Sequence, residues 1–383
     1  MSRQPLPFVR DRVTFAVYAA TGAFAMQLGF IGPLMPHLRD ALGLSYAEAA
    51  LHTSAFAIGM IVCGLVGERL VRLIGRDGTI WVGFLGMAVG LTCLAIAPTA
   101  AVSIASCGLM GVFGTMMVIA VPAVLSEVHG ENRGFALAEQ NAVAYVGALL
   151  APILVWAFVL VGGWRWAGLV GWLALAAYAL AFMKARCPPP TVTASAGSAR
   201  LPRGYWAFWT LLCVNVACEF AVLIWSSSYL ETAKGLSRET AILSTAVFSV
   251  AMIVGRVVGM ILLRKIRVGW LVLPSLTLGF VGFMIFWQVT NPFLSFTGLF
   301  VTGLGLANLY PAGIALAMAA AGPATGVAAS RAPLGSGLAI ILSPLVLGAL
   351  ADRFGMEAAY GAVPVLFAIG VLSYSIGRRA PAR

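Results

Sequence analysis

The sequence contains few charged residues. They make up 10% of its 383 residues, whereas a soluble domain has about 25%. Hydrophobic residues reach 61%, so the chain has too little polar surface for a water-facing globule. The charges stand in short gaps between apolar runs of roughly 20 residues, the length that crosses a bilayer core of about 30 Å. The scarcity of charge therefore excludes a soluble domain and indicates a polytopic membrane protein.

Acidic residues are scarcer than basic ones, with 13 Asp and Glu against 24 Lys and Arg, which gives a net charge of +11. Placing the N-terminus inside the cell assigns 17 of these 24 basic residues to the cytoplasmic side, five to the outside and two, Arg256 and Arg331, to the spans. Cytoplasmic loops of membrane proteins are enriched in Lys and Arg. We therefore expect a multi-pass protein of the inner membrane with both termini cytoplasmic, and no nucleic-acid partner.

The motifs of common enzymes and cofactor proteins are missing. The six cysteines form no CxxC pair and lie mostly inside apolar runs, as small buried side chains do. There is no zinc-ligand spacing, no phosphate-binding loop and no nucleophile next to a base. We expect neither an enzyme nor a metal or cofactor. The first apolar run is followed by no A-x-A cleavage pattern, so we interpret it as a retained span.

Polar and turn clusters divide the chain into twelve predicted membrane helices. A Pro-, Ser- and Ala-rich connector at 185–203 separates a first bundle, 1–184, from a second, 204–383. The predicted spans cover 13–35, 49–71, 79–98, 101–127, 134–160, 166–184, 204–230, 239–263, 269–289, 294–320, 326–350 and 358–378.

The two halves repeat each other at an offset of 192 residues. ALGLSYAEAAL at 41–51 aligns with AKGLSRETAIL at 233–243, and MIVCGLVG at 60–67 aligns with MIVGRVVG at 252–259. One register kept through a loop and the following helix indicates two six-helix bundles in the same orientation. The expected fold is an all-α polytopic membrane protein with a 6+6 parallel repeat.

With this repeat, three loop motifs resemble the major facilitator superfamily: GERLVRLIGRDG at 67–78, GGWRWAG at 162–168 and GALADRFG at 348–355. The resemblance extends over essentially the whole chain. It implies a secondary transporter that acts as a monomer, in which two halves rock about a central site for a small-molecule solute.

Polar residues inside the spans differ between the two halves. The offset pairs Gln27 with Glu219, Gly64 with Arg256, and Glu139 with Arg331. The repeat therefore duplicated one scaffold and then gave its halves different charges. Ionisable residues inside a membrane are costly and mark functional sites.

The resemblance implies that helix 5 packs on helix 8 and helix 2 on helix 11 across the seam between the halves. On this basis we expect two charge pairs, Glu139 with Arg256 and Glu68 with Arg331, which close the cytoplasmic side and part when it opens. The alternatives are static ion pairs, or an Arg331 side chain that extends to the lipid headgroups.

Glu219 lies about halfway along the seventh span with no basic residue within a helical turn. Helices 1, 4, 7 and 10 line the cavity in the resembled family, so we expect Glu219 and Gln27 to face the solute and Glu219 to bind protons. A hydrogen-bonded structural acid is the alternative. His52 is either a proton acceptor or a histidine at the start of its helix. Further candidates for the solute site are Asn215, Tyr310, Asn141 and Tyr145.

These residues predict secondary active transport of a small organic solute, anionic or zwitterionic, coupled to protons. Membrane lipid is the expected surrounding partner. A proton-coupled exporter of lipophilic or cationic compounds is the alternative if Arg256 is neutralised. A membrane sensor or assembly protein that keeps the fold without transport is a third possibility.

Overall fold

The computed structural model describes residues 9–189, 200–263 and 265–379. The regular structure of these residues is helical. The α-helices are α1 (Arg12–Gly29), α2 (Ile31–Leu42), α3 (Tyr46–Ile96), α4 (Ala100–Val118), α5 (Val121–His129), α6 (Arg133–Val161), α7 (Ala167–Phe182), α8 (Arg203–Thr232), α9 (Arg238–Leu263), α10 (Val268–Gln288), α11 (Pro292–Leu306), α12 (Leu309–Ala321), α13 (Thr325–Phe354), α14 (Met356–Ala359) and α15 (Ala362–Arg379).

Twelve segments of the described chain are long and apolar enough to cross a membrane. The helix α3 supplies two of them, Tyr46–Gly67 and Arg69–Ile96, and the pairs α1–α2, α4–α5, α11–α12 and α14–α15 supply one each. The prediction of an all-α protein with twelve membrane helices is confirmed. The predicted boundaries agree with these segments to within a few residues at most ends.

The second and third spans join through a kink and not through a loop. Gly75 has φ 73° and ψ 168°, outside the helical region, while the helix continues on both sides of it. A positive φ of this size favours glycine, which has no Cβ to clash with the backbone. Arg76 follows directly and donates to both carboxylate oxygens of Glu127, at 2.6 and 2.8 Å, and to the backbone oxygen of Pro188 at 2.9 Å. The kink thus connects the end of α5 to the residues that lead into the connector.

The chain forms two compact units whose boundary differs from the simple division into halves. The first unit comprises Met1–Ile31 and Ala55–Val192, and the second comprises Gly32–Ser54 and Thr193–Arg383. More than half of the predicted connector at 185–203 lies outside the described residues. The segment Gly32–Ser54, however, belongs to the second unit, although its sequence position places it in the first predicted bundle.

The segment Gly32–Ser54 joins the second unit because small residues let its backbone come close. A Cβ on Gly32 would overlap the backbone of Leu223 in α8, and a Cβ on Gly348 in α13 would overlap the backbone of Tyr46. The Tyr46 ring packs edge-on against Trp225 of α8, with centroids 5.6 Å apart. Helix approach through glycine is the usual way to gain packing energy in a membrane, where burial from water contributes little.

The same kind of contact joins α10 to α11 in the second unit. Cβ atoms built on Gly282, Gly298 or Gly305 would overlap backbone atoms of the facing helix, and one on Gly279 would meet the Phe367 ring of α15. Backbone cannot rotate away as a side chain can. Gly282, Gly298 and Gly305 therefore set the distance between α10 and α11.

We predict that Gly305→Ala destabilises the protein, because its new methyl group would overlap the backbone of Gly279. Overpacking of this kind costs about 1–3 kcal/mol. Thermal unfolding of the purified protein in detergent should show a clearly lower midpoint. Gly64→Ala is the matched control, since nothing lies within 4 Å of a Cβ at that position. Equal midpoints for the two variants would contradict this account of the packing.

Candidate functional site

The helix α8 carries two polar residues on one face near its middle. Asn215 and Glu219 are four residues apart, and this spacing places side chains one above the other on a helix. Asn215 is 1% exposed, and neither polar atom of its amide has a hydrogen-bond partner among the described residues. Glu219 is partly exposed. Buried polar groups in native proteins almost always find a partner in protein, water or ligand, so the Asn215 amide is a candidate binding group.

Arg256 of α9 is the charged group that acts on Glu219 electrostatically. The sequence analysis considered only basic residues on the helix that carries Glu219, and the role of Glu219 stays a prediction. The next helix in the chain brings a guanidinium to it from 37 positions away. Arg256 is itself partly exposed. Asn215, Glu219 and Arg256 therefore form one polar group within the second unit, and we call them the α8–α9 polar cluster.

Glu139 in α6 makes its ion pair inside the first unit. Arg10, which precedes α1, donates to both of its carboxylate oxygens, from Nε at 3.0 Å and from Nη2 at 2.5 Å. The Tyr18 hydroxyl donates to the same carboxylate at 3.2 Å. The predicted pair of Glu139 with Arg256 stays a prediction. The sequence analysis missed Arg10 as a partner because it interpreted the N-terminal basic residues only as a sign of orientation.

Arg331 in α13 is partly exposed, and its guanidinium lies 5.8 Å from the ring centre of Trp206 in α8. Its backbone oxygen accepts a hydrogen bond from Trp209 Nε1 at 3.0 Å. A cation over an indole ring is stabilised by the ring's quadrupole, and Trp residues gather at membrane interfaces. The side chain of Glu68 lies outside the described part of the structure. The pair of Glu68 with Arg331 therefore stays a prediction.

Gln27 is fully buried in the first unit, and its amide has no hydrogen-bond partner among the described residues. A Cβ on Gly171 would lie 3.2 Å from its Oε1, so the amide packs closely against α7. Gln27 therefore lies in the interior of the first unit, whereas Asn215 and Glu219 belong to the second unit.

The other predicted solute ligands are more accessible. Asn141 is exposed and donates to the backbone oxygen of Leu137 at 2.9 Å, and Tyr145 is partly exposed. Tyr310 of α12 is partly exposed and accepts a weak hydrogen bond from Ser336 at 3.4 Å. Asn141 and Tyr145 belong to the first unit and Tyr310 to the second. Their role in binding solute stays a prediction.

His52 is fully buried near the start of α3. Its Nδ1 lies 3.0 Å from the backbone oxygen of Ala49 and 3.2 Å from that of Glu48. Backbone oxygens only accept, so Nδ1 carries the proton. This geometry favours the interpretation of His52 as a histidine at the start of its helix.

A second group of charges, missed by the sequence analysis, holds the segment Gly32–Ser54 in the second unit. Arg238 contacts Asp40 at 2.5 Å and donates to Glu231 from Nε at 2.9 Å. The Asp352 carboxylate accepts from the backbone N–H groups of Tyr46 and Ala47, at 2.7 and 2.8 Å. It therefore caps the N-terminus of α3, where unpaired N–H groups favour an anion. The motif GALADRFG was the available signal for Asp352, but it does not say which helix the carboxylate meets.

With this geometry described, the sequence can be compared with known proteins. The sequence model of the Major Facilitator Superfamily matches residues 17–323. The chain belongs to this superfamily. The resemblance noted from the loop motifs is thereby confirmed, and the chain is a multi-pass membrane protein of this family.

Two curated relatives are 27% and 28% identical to this facilitator over the aligned residues. A protein of Cupriavidus necator named "Probable sulfoacetate transporter SauU" is 27% identical over 367 residues, with 84% of this chain and 82% of the relative covered. An uncharacterised MFS-type transporter of Yersinia pestis is 28% identical over 171 residues. That alignment spans 43% of each chain, so it covers less than half of the Yersinia protein.

Solved transporter structures share the fold. A bacterial homologue of the human lysosomal transporter Spinster, in an inward-facing and unoccupied conformation, superposes with a TM-score of 0.79 at 13% identity and covers 96% of this chain and 97% of its own. A D-xylose–proton symporter superposes with a TM-score of 0.78 at 13% identity, covering 97% and 98%. At this identity the likeness shows the fold alone.

We predict that Glu219 and Arg256 stabilise each other. Arg256→Gln should destabilise the protein because it leaves a carboxylate inside the bundle without its counter-charge. The double variant with Glu219→Gln should be less destabilised than the sum of the single variants, by a coupling energy of about 0.5–3 kcal/mol. The four unfolding free energies, measured in one detergent, give this coupling. Additive effects would show that the two groups do not interact.

We also predict that Asp352→Ala weakens the start of α3. Loss of an N-terminal cap costs about 1 kcal/mol, so the midpoint of thermal unfolding should fall by a few degrees. Arg353→Ala is the control, because it removes the neighbouring exposed side chain and leaves the carboxylate in place. A fall in the control as large as that in Asp352→Ala would refute the capping role.

Proposed function

We propose that this facilitator is a secondary active transporter that moves a small organic solute across the inner membrane by alternating access and couples it to protons. The observation that carries the proposal is the α8–α9 polar cluster, in which a buried amide without a hydrogen-bond partner among the described residues lies one turn from a carboxylate on which an arginine acts electrostatically. Such a cluster costs stability in an apolar bundle. Binding a polar solute and a proton is a function that accounts for its presence.

The cluster favours an anionic or zwitterionic solute. Arg256 offers a planar set of donors that suits a carboxylate, phosphate or sulfonate group, and the Asn215 amide offers a donor and an acceptor beside it. Glu139, the other candidate partner of Arg256, is occupied by Arg10. The relative named for sulfoacetate, a compound with two anionic groups, supports the same solute class.

Coupling to protons follows from competition for Arg256. While Glu219 is ionised, it is the internal counter-charge of the guanidinium. When Glu219 takes up a proton, that counter-charge is lost and an anionic solute group replaces it. Proton and solute thus favour each other's binding, and such coupling is reciprocal. The expected result is symport of an anion with a proton.

We also propose an orientation and an oligomeric state. The excess of Lys and Arg at one side of the spans supports cytoplasmic termini, and the superfamily fold supports a monomer as the working unit. Export of lipophilic or cationic compounds is the second candidate. It is favoured by Glu219 being the single acidic residue between Arg203 and Leu230, in an otherwise apolar helix.

We predict that a panel of solutes added to the purified protein will include an organic anion that raises its unfolding temperature. The panel should contain sulfonated and carboxylated acids, amino acids, a pentose, a nucleoside and lipophilic cations. The stabilisation should weaken strongly in Arg256→Gln, and its dependence on pH should vanish in Glu219→Gln. Glu357→Gln is the control, since it makes the same chemical change at an exposed position.

Proteoliposomes then separate binding from coupling. The vesicles contain the wild-type protein and enclose a pH-sensitive dye. The dye should report acidification of the interior when the stabilising anion is added outside the vesicles. The Glu219→Gln variant should still exchange labelled solute but should no longer move protons. Stabilisation by lipophilic cations alone would favour the exporter, and stabilisation without flux would favour a non-transporting sensor.

A further inference from the structure

A cavity of about 750 Å³ lies in the second unit, away from the α8–α9 polar cluster, where α8 and α10 begin and α12 and α15 end. This volume is within the range of sites for small ligands. Small residues leave the space open, and apolar side chains form most of the wall. The wall residues used below are Phe208, Leu273, Ala319 and Tyr374.

Two arginines stand among the lining residues of this cavity. Arg267 directly precedes α10 and Arg378 lies in the last turn of α15, and both are exposed. Neither makes an ion pair with a described residue, and the lining contains no acidic residue. Two cationic groups beside an apolar space are the complement of an anionic amphiphile.

The distribution of charge along the chain strengthens this complementarity. From Thr193 onward the acidic residues are Glu219, Glu231, Glu239, Asp352 and Glu357. Glu219 lies in the middle of α8, and the other four lie at helix ends opposite to the cavity. The cavity end of this part of the chain therefore carries basic residues without acidic ones to neutralise them.

The aromatic residues at this cavity are typical of the level of the lipid headgroups. Trp270 lines it and is 72% exposed, as interfacial tryptophans are. Tyr374 is buried, donates to the backbone oxygen of Gly269 at 2.6 Å, and packs near Phe208 with ring centres 6.3 Å apart. Its hydroxyl fixes the start of α10 to α15 and so holds the two arginine-bearing segments together.

We propose that this cavity binds one anionic glycerophospholipid, with its phosphate between Arg267 and Arg378 and an acyl chain along Phe208 and Leu273. Basic pockets between membrane helices on the cytoplasmic side recognise anionic headgroups. The apolar wall selects a lipid over a free phosphate, because a water-soluble anion would leave that wall empty. The site is separate from the solute site and does not depend on the proposed transport.

The test is native mass spectrometry of the full chain in detergent, titrated with phosphatidylglycerol or with phosphatidylcholine of the same acyl chains. Phosphatidylglycerol should bind at least tenfold more tightly in the wild-type protein. Arg267→Gln and Arg378→Gln should each weaken it about fivefold. Lys265→Gln and Arg379→Gln are the matched controls, because they remove the same charge two residues and one residue away and do not line the cavity.

A third variant tests the cavity itself. Ala319→Phe fills the space without changing charge, and its position is exposed, so the fold should tolerate it. It should also abolish the preference for phosphatidylglycerol. If Arg379→Gln lowered the affinity for phosphatidylglycerol as much as Arg378→Gln, the lipid would be attracted by the charged surface in general, and the proposed site would be overturned. Equal binding of the two lipids, unaltered binding in Ala319→Phe, or equally tight binding of glycerol 3-phosphate would overturn it as well.

Discussion

A charge placed inside a bundle of membrane helices must have a partner nearby, because lipid and apolar side chains cannot replace the water it has lost. This constraint organises the interior of the protein. Arg256 acts on Glu219 electrostatically, and Glu139 is held by Arg10 and Tyr18. Each of these two carboxylates therefore has a cationic group that offsets its charge.

Glycine contacts provide the rigid surroundings that such charges need. Where α10 meets α11, the backbones come so close that a methyl group would overlap them, and Gly32 and Gly348 bring Gly32–Ser54 onto α8 and α13 in the same way. These contacts explain why the second unit includes a segment from the first half of the chain. Packing distance, and not position in the sequence, decides which residues form a unit.

Acidic and basic residues are separated along the helices, and both the proposed solute site and the proposed lipid site depend on this separation. Beyond Thr193 the acidic residues lie in the middle of α8 or at the ends where Arg238 and Asp352 hold Gly32–Ser54, and basic residues dominate the opposite ends. The proposed solute and proton site is the polar cluster in the middle, and the proposed lipid site is the basic end. The two proposals therefore use the same excess of arginine at different depths of the helices.

The sequence by itself determined the membrane class, the twelve spans and the superfamily, because span length and hydropathy are local properties and the repeat keeps one register. It also picked out Glu219, Arg256 and Glu139 as rare charges within spans. Only the tertiary structure decided their partners. Arg10 donates to Glu139 across 129 positions, and Arg256 acts electrostatically on Glu219 from another helix. Both interactions depend on how the helices pack. No local pattern encodes which of several arginines lies within reach of a given carboxylate.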